Sequence, residues 1–213
     1  DSICRMMCIT ELGRKMSSMG VDPALAKMLI LSLDHGCTRD ALDLAAMLSI
    51  RDPFYYNKNN RDECKENKRN FMVPGAGDHA MLINLYREYF ENVIKKNNRK
   101  WCRQNGIMGR NLWQGHLLRK ELHGKIIRLC NGNTDLSWST VGDLSDSWFA
   151  LARILLDVGM VKKATFHAMR NRFVSDYSYT TASGKISLAG PHPGSLLDST
   201  RIPVILYSRV HST

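Results

Sequence analysis

The sequence predicts a mainly α-helical protein with a C-terminal β part, because two hydrophobic patterns follow one another along the chain. Over roughly its first three quarters, apolar residues recur at helical spacing between capping residues and glycines. After Arg172 the period changes to two around a Ser183-Gly184 turn, and the segment IPVILYSRV is rich in β-branched residues. This order predicts a helical bundle followed by a small β domain.

The first three predicted helices have clear start and stop signals. The expected N-caps are Thr10, Asp22 and Thr38, and Gly20 and Gly36 are expected to end the first two helices. Ser, Thr and Asp are favoured at N-caps because their side-chain oxygens accept hydrogen bonds from the exposed amides of the first turn.

The middle of the chain alternates charged connectors with amphipathic segments. Residues 57–70 are highly charged and should form a solvated helix or loop. A helix is expected to begin near Asp78, its N-cap, and two more are expected at about 109–130 and 145–159. The expected interior residues of the helix at 109–130 are Leu112, Leu117, Leu122, Ile126 and Leu129.

Net charge and the cysteine pattern indicate the expected partner and the cellular compartment. The 213 residues carry a net charge of +10, which suggests a polyanionic partner, either nucleic acid or an acidic membrane surface. The six cysteines are scattered without a C-x-x-C pair, so we expect reduced thiols in a cytosolic or nuclear protein. No apolar run is long enough for a membrane helix. The start at Asp1 predicts a piece of a longer polypeptide.

No catalytic or metal-binding motif is predicted. The segment SGKIS lacks the first glycine of a phosphate-binding loop and has Ile186 where Ser or Thr is needed. His116 and His123 share a helical face without a third ligand, and Asp78 and His79 lack the third group that a catalytic site requires. We therefore expect no catalytic residue, metal or cofactor in these 213 residues.

Five cations surround a single tryptophan, Trp101. They are Lys95, Lys96, Arg99, Lys100 and Arg103. Such a cluster either follows a phosphate chain without reading its sequence, or is a solvated connector with the tryptophan in the core, the slightly favoured interpretation. Arg110 and Asn111 begin the next long helix, where exposed amides suit a phosphate; an ordinary helix start is the alternative.

Several stretches together resemble the C-terminal region of DEAH-box RNA helicases. They are ITELGRKMSSMGVDPALAKMLILSLDHGC, DALDLAAMLSIRDPFYYNK, GDHAMLINLYREYF, KWCRQNGIMGRNL with LRKEL, and ASGKISLAGPHPGSLL with PVILYSRV. The resemblance implies that residues 1–21 end a winged-helix domain. It further implies that 22–142 form the helical ratchet, or helicase-associated domain, and 143–213 an incomplete OB-fold barrel.

The resemblance implies a module that is not an enzyme by itself. The family's ATP- and magnesium-binding motor domains lie outside these residues, so ATP hydrolysis is expected only of the full-length parent. Its partners would be single-stranded RNA, the parent's own motor domains and a G-patch regulator protein. We expect a nuclear location rather than a cytoplasmic one, and a role in pre-mRNA splicing or ribosome assembly.

In this family the ratchet forms one wall of the single-stranded RNA channel. The residues expected at the RNA are Asp78, His79, Lys95, Lys96, Arg99, Lys100, Arg110, Asn111 and His192. His79 would either pack against a neighbouring helix or face the channel. The alternative function is a protein-interaction scaffold of an RNA-processing complex with little RNA affinity of its own.

Overall fold

The computed structural model describes residues 9–56, 61–74, 76–130, 144–158 and 160, and the backbone of four short strands beyond them. Eight α-helices and one π-helix lie in these ranges. They are α1 (Glu11–Met19), α2 (Pro23–Asp34), α3 (Thr38–Leu48), α4 (Arg61–Arg69), α5 (Gly77–Tyr89), the π-helix (Phe90–Lys95), α6 (Trp101–Gln104), α7 (Gly109–Leu129) and α8 (Leu144–Asp157). The described part of the chain is therefore mainly helical, as its periodicity predicts.

The predicted N-caps of the first two helices are confirmed. Thr10 Oγ1 accepts a hydrogen bond from the Gly13 amide at 3.1 Å. Asp22 Oδ1 accepts one from the Ala24 amide at 2.9 Å, and Pro23 takes the first helical position. Gly20 ends α1 with a φ of 65°, a left-handed conformation that costs glycine little.

Two predicted N-caps are wrong by one or two positions. Cys37 occupies the N-cap of α3, because its carbonyl accepts the Ala41 amide at 3.0 Å, so Thr38 is already the first helical residue. Ala76 occupies the N-cap of α5, since Gly77 starts the helix with a φ of 75°. Asp78 therefore lies in the first turn of α5, where the helix dipole still favours its charge.

The larger of two hydrophobic clusters is built around α2 and α3. Leu29, Leu44, Leu122 and Leu151 are completely buried there, so α2, α3, α7 and α8 share one core. The Lys125 ammonium group on α7 donates to the carbonyl of Met19 at 2.8 Å, which attaches the end of α1 to the same bundle.

The second cluster is aromatic and fixes the connections around α6. Phe54, Phe71, Tyr89, Trp101 and Ile107 are all buried in it. An antiparallel bridge joins Phe54 to Ile107, so the loop after α3 lies against the loop before α7. This cluster holds both ends of the segment 95–103 in place, because it contains residues on either side of it.

One predicted interior residue of α7 is wrong. Leu117 is 48% exposed, whereas Leu112, Leu122 and Ile126 are completely buried. At about 100° per residue, Leu117 lies on the face opposite to these three, beside the equally exposed Trp113 one turn earlier. None of the described helices is long and apolar enough to cross a membrane.

Four short strands follow the helices: β1 (Lys162–His167), β2 (Ser178–Thr180), β3 (Ile186–Ser187) and β4 (Val204–Tyr207). They form an antiparallel sheet in the order β3-β2-β1-β4. The predicted hairpin and final strand correspond to β2–β3 and β4, while β1 was not predicted. A closed OB-fold barrel stays a prediction, and so do the winged-helix remnant and the boundaries at 21/22 and 142/143. Residues 1–8 and 131–143 lie outside the described residues.

Candidate functional site

The five cations that the sequence singled out, which we call the basic connector, extend from the last residue of the π-helix into α6. They are Lys95, Lys96, Arg99, Lys100 and Arg103, and all are exposed. The Lys95 ammonium group lies 2.6 Å from Glu91 Oε1 and 5.4 Å from the centre of the Phe90 ring. The connector is thus a solvated positive surface whose first member is held against the π-helix.

Trp101, the aromatic residue of this segment, belongs to the core. Its side chain is 9% exposed, and its ring centroid lies 5.8 Å from that of Phe71 and 6.4 Å from that of Tyr89. The interpretation that placed this tryptophan in the core is confirmed. The ring therefore anchors the connector and does not offer a stacking surface to a base.

The start of α7 is tied to the loop that follows α3. The Met108 amide donates to the Pro53 carbonyl at 2.7 Å, and the Asn111 side-chain amide donates to the Asp52 carbonyl at 3.0 Å. Arg110 is exposed beside them. The Asn111 side chain thus has a structural role, and phosphate contact by Arg110 and Asn111 stays a prediction.

Asp78 and His79 lie in the first turn of α5 and are both half-buried. Burial lowers the pKa of the His79 imidazole below its ordinary value, and the negative charge of Asp78 opposes that shift only in part. His79 is therefore favoured in its neutral form near pH 7. Its packing against the bundle fits the first of the two roles predicted for it. The last predicted contact, His192, lies outside the described residues.

The structure also brings together a cleft that the sequence analysis missed, which we call the arginine cleft. Three helices meet there: α3, α7 and α5 with its π-helical extension. The lining residues are Arg39, Asp43, Tyr86, Arg87, Phe90, Glu91 and Arg119. Its empty volume is about 300 Å³, including the space at its open mouth.

Two buried aspartates of α3 pair with two arginines of the arginine cleft, and one of them, Asp43, also lines the cleft. Arg87 is paired with Asp40 and lies 3.6 Å from Asp43, which is also paired with Arg119. The carboxylates are almost completely buried. A buried carboxylate needs such partners because removing it from water is costly.

In the arginine cleft, burial shifts the pKa of an aspartate and the pKa of an arginine in opposite directions. Burial raises the pKa of the Asp43 carboxyl, and the guanidinium group of Arg119 opposes that shift. Burial lowers the pKa of Arg39, an effect that Asp43 opposes and the positive charges of Arg87 and Arg119 reinforce. The cleft therefore concentrates positive charge in a place that is poor in water.

An aromatic group forms the wall of the arginine cleft nearest α7. The Tyr86 hydroxyl and His116 Nδ1 are 2.9 Å apart, and the Arg119 guanidinium lies 5.6 Å from the centre of the Tyr86 ring. The ring of His116 also lies near those of Phe90 and Trp113, at centroid distances of 5.9 and 5.5 Å. His116 thus belongs to an aromatic wall.

The sequence contained one signal of the arginine cleft. Asp40 and Asp43 lie on α3 among alanines and leucines that periodicity assigns to the core, and aspartate is almost never fully buried without a partner. Buried acids on an apolar helix therefore indicate arginines nearby. Which arginines these are depends on contacts between α3 and residues 44 to 76 positions later, so the chain pattern alone could not identify them.

The described residues contain no group of three or more His, Cys, Asp or Glu side chains that could hold a metal ion.

Comparison with known proteins agrees with the mainly helical structure of the described residues. Residues 22–82 match the family described as helicase associated domain (HA2), ratchet-like. The chain is also 30% identical over 138 residues to the ATP-dependent RNA helicase DHX33 of mouse, Mus musculus. That match covers 65% of this chain and 19% of the mouse protein, so the chain spans only a small part of this relative's length.

Residues 22–82 are thus similar to a ratchet-like helicase-associated domain, and a longer part of the chain is similar to a segment of an ATP-dependent RNA helicase. The matched range 22–82 includes α2, α3, α4 and the first half of α5. It therefore contributes Arg39 and Asp43 of the arginine cleft, together with Asp40, the partner of Arg87, but ends before the basic connector.

Proposed function

We propose that this chain is an accessory, non-catalytic module of a DEAH-box RNA helicase and that it forms part of the wall of the single-stranded RNA channel. The observation that carries the proposal is the exposed basic connector, which follows a helical segment that matches a helicase-associated family. Exposed lysines and arginines along a groove bind a phosphate chain regardless of its sequence, which is what a translocating motor requires.

The remaining domains of the helicase would belong to the parent protein. ATP and magnesium would be bound by its motor domains, against which this module would pack, and the module alone would not hydrolyse ATP. A G-patch regulator, a nuclear location and a role in splicing or ribosome assembly belong to the same proposal and rest on the family resemblance alone.

The proposed RNA contacts fall into two groups. Lys95, Lys96, Arg99 and Lys100 of the basic connector would contact phosphates, with Arg110 on the neighbouring helix start. Asn111, Asp78, His79 and His192 complete the proposed set. Among the described members, only the connector and Arg110 are exposed.

A charge-reversal experiment tests the connector. Changing Lys95, Lys96, Arg99 and Lys100 to Glu should weaken binding to a short oligouridylate, because each lost phosphate contact reduces the slope of log affinity against log salt by about 0.7. We expect the slope to fall by about 2–3, measured by fluorescence anisotropy between 50 and 200 mM salt.

The matched control reverses four cations elsewhere on the bundle, Arg14, Lys27, Arg128 and Arg153, which changes the net charge equally. If both quadruple variants lose RNA affinity to the same extent, net charge and not the connector drives binding, and the proposed contact surface is wrong.

The alternative function, a protein-interaction scaffold, is favoured by a separate observation. Trp113 and Leu117 lie one turn apart on α7, each 48% exposed, and Phe149 on α8 is 76% exposed. Large aromatic residues left in solvent are typical anchors of protein interfaces. The scaffold predicts little salt-sensitive RNA affinity in the unmodified chain, so the same anisotropy titration separates the two functions.

A further inference from the structure

A second surface lies on the solvent side of α7. Trp113 and Leu117 are one turn apart there, and each is 48% exposed. Arg110 precedes this pair by three residues and Lys120 follows it by three, and both cations are exposed. At about 100° per residue the four side chains fall within an arc of about 80°, so they share one side of the helix. We call these four residues the α7 face.

The α7 face is apolar at its centre and positive at both ends. Neither Arg110 nor Lys120 forms an ion pair with another side chain in the described part of the chain. Glu121, the acidic residue of α7, is already held by the Lys125 ammonium group at 2.6 Å. The two exposed cations are therefore available to attract opposite charge on a partner. Their arrangement is complementary to an apolar segment with acidic ends.

The surface beyond Lys120 is open, so a partner can come close to the helix. Gly124 lies one turn after Lys120, and nothing lies within 4 Å of the place that a Cβ of residue 124 would take. Glycine is less favourable than alanine in a helix interior, and no contact among the described residues requires glycine at this position. From Arg110 to Gly124 the helix rises about 21 Å, or about four turns. This length and openness suit a second α-helix laid along α7, with apolar residues at the matching spacing.

The apolar centre of the α7 face favours a protein partner over a nucleic acid. The ring centroid of Trp113 lies 5.5 Å from that of His116, which lies 5.9 Å from that of Phe90, so a row of rings continues from α7 toward the π-helix. Leu117 offers no flat ring on which a base could stack, and the apolar pair interrupts the row of cations that a phosphate chain follows. Tryptophan is a frequent energetic anchor of protein interfaces.

We infer that the α7 face binds an amphipathic helix of a partner protein, whose apolar side chains cover Trp113 and Leu117 and whose acidic ends pair with Arg110 and Lys120. The inference goes beyond the proposed RNA channel and does not depend on it. Arg110 belongs to both surfaces, so the partner helix and the RNA would meet at the start of α7. Trp113 would supply most of the affinity, and the two cations would provide the preference for acidic partners.

A synthetic helical peptide tests the α7 face. The probe has about 18 residues, with leucines at helical spacing along one side and glutamates at both ends. One control peptide has lysines in place of the glutamates, and another has the same residues in scrambled order. Fluorescence anisotropy of the labelled peptides, in the absence of RNA, measures binding to the unmodified chain. Only the acidic amphipathic peptide should bind with saturation.

Variants of the α7 face have matched controls on α8. Trp113→Ala should weaken peptide binding about thirtyfold, the size of an interface hot spot. Phe149→Ala, which removes an aromatic ring that is 76% exposed, should leave binding unchanged. Lys120→Glu should weaken binding of the acidic peptide and strengthen binding of the lysine peptide, whereas Arg153→Glu should not reverse this preference.

A further variant, Gly124→Gln, separates binding from folding. The longer side chain fills the open space, so peptide affinity should fall, while the melting temperature should stay the same or rise because glutamine favours the helix. Thermal melting followed by circular dichroism identifies any variant that no longer folds. If Trp113→Ala does not fold, Lys120→Glu and Gly124→Gln decide the question.

Three results would overturn the inference. Equal binding of the acidic and lysine peptides, or undiminished binding by Trp113→Ala, would show that the α7 face does not recognise such a helix. Oligouridylate binding that requires Trp113 and Leu117, without peptide binding, would assign the face to RNA. A dimer in analytical ultracentrifugation that Leu117→Asp abolishes, without peptide binding, would assign it to a second copy of the chain. In each case the charge reversal of the basic connector still tests the proposed function separately.

Discussion

At the scale of single residues, changes to buried charged groups are expected to alter stability most. Asp43 is almost completely buried between Arg87 and Arg119, whereas the ion pair of Glu66 with Arg69 on α4 is exposed on both sides. Removing one partner of a buried pair leaves the other charged in a medium that solvates it poorly. An exposed pair loses little, because water replaces the missing partner.

We therefore predict that Asp43→Ala lowers the free energy of unfolding by about 3–5 kcal/mol, because it leaves Arg119 and Arg87 without this carboxylate. Glu66→Ala, the matched surface change, should cost at most about 1 kcal/mol. Urea unfolding monitored by circular dichroism measures both. Similar losses in the two variants would mean that the buried network contributes no more than a surface pair.

At the scale of elements, helix ends follow local chemistry that the sequence already contains. Asp22 begins α2 with a side-chain hydrogen bond, and Asp34, the same residue type, is the last residue of that helix. A negative charge is favoured by the dipole at the first position and disfavoured at the second. Asp34 is therefore the matched control for Asp22 in the same helix.

We expect Asp22→Ala to destabilise the protein by about 1 kcal/mol, because the Ala24 amide loses its acceptor. This corresponds to a decrease in melting temperature of about 2–4 °C for a chain of this length. Asp34→Ala should leave the melting temperature unchanged or raise it slightly. Equal decreases in both variants would refute a capping role for Asp22.

The π-helix is one element that local chemistry did not predict. The Lys96 amide donates to the Glu91 carbonyl at 3.2 Å, five residues back, whereas an α-helix would use the residue four back. The sequence around Phe90 reads as a simple continuation of α5. The wider turn places Phe90 and Glu91 beside the arginine cleft, and that position depends on α3 and α7.

At the scale of the whole molecule, two histidines that are buried wholly or in part couple stability to pH. Burial lowers the pKa of His79 and of His116 below the ordinary value of 6.5, and for His116 the charges of Lys120 and Arg119 add to the shift. The unfolded chain therefore binds protons at a higher pH than the folded one. Stability is fully present above about pH 6.5 and falls as pH decreases toward the folded values.

We predict that the melting temperature decreases between pH 7.5 and pH 5.5, and that His79→Gln reduces this decrease because one of the shifted groups is removed. His35→Gln is the matched control, since His35 is an exposed histidine at the end of α2. Calorimetry at several pH values measures the effect. A pH dependence that is the same in His79→Gln as in the unmodified chain would contradict it.

Sequence patterns are enough to predict the helical bundle, the caps at Thr10 and Asp22, the exposure of the basic connector and the strand β4. These features depend on hydrophobic period, side-chain hydrogen bonds and charge, all of which act between near neighbours. For the same reason the helix starts at Thr38 and Asp78 were missed by only one or two residues.

Only the tertiary structure shows that Leu117 is exposed and that three arginines from three helices share one cleft, and it settles the open interpretation of Trp101 in favour of the core. The physical reason is the distance along the chain. Arg39, Arg87 and Arg119 are tens of residues apart, and no local pattern records which helix faces meet. Only the folded bundle brings these charges together, because burial of Asp40 and Asp43 requires partners from α5 and α7.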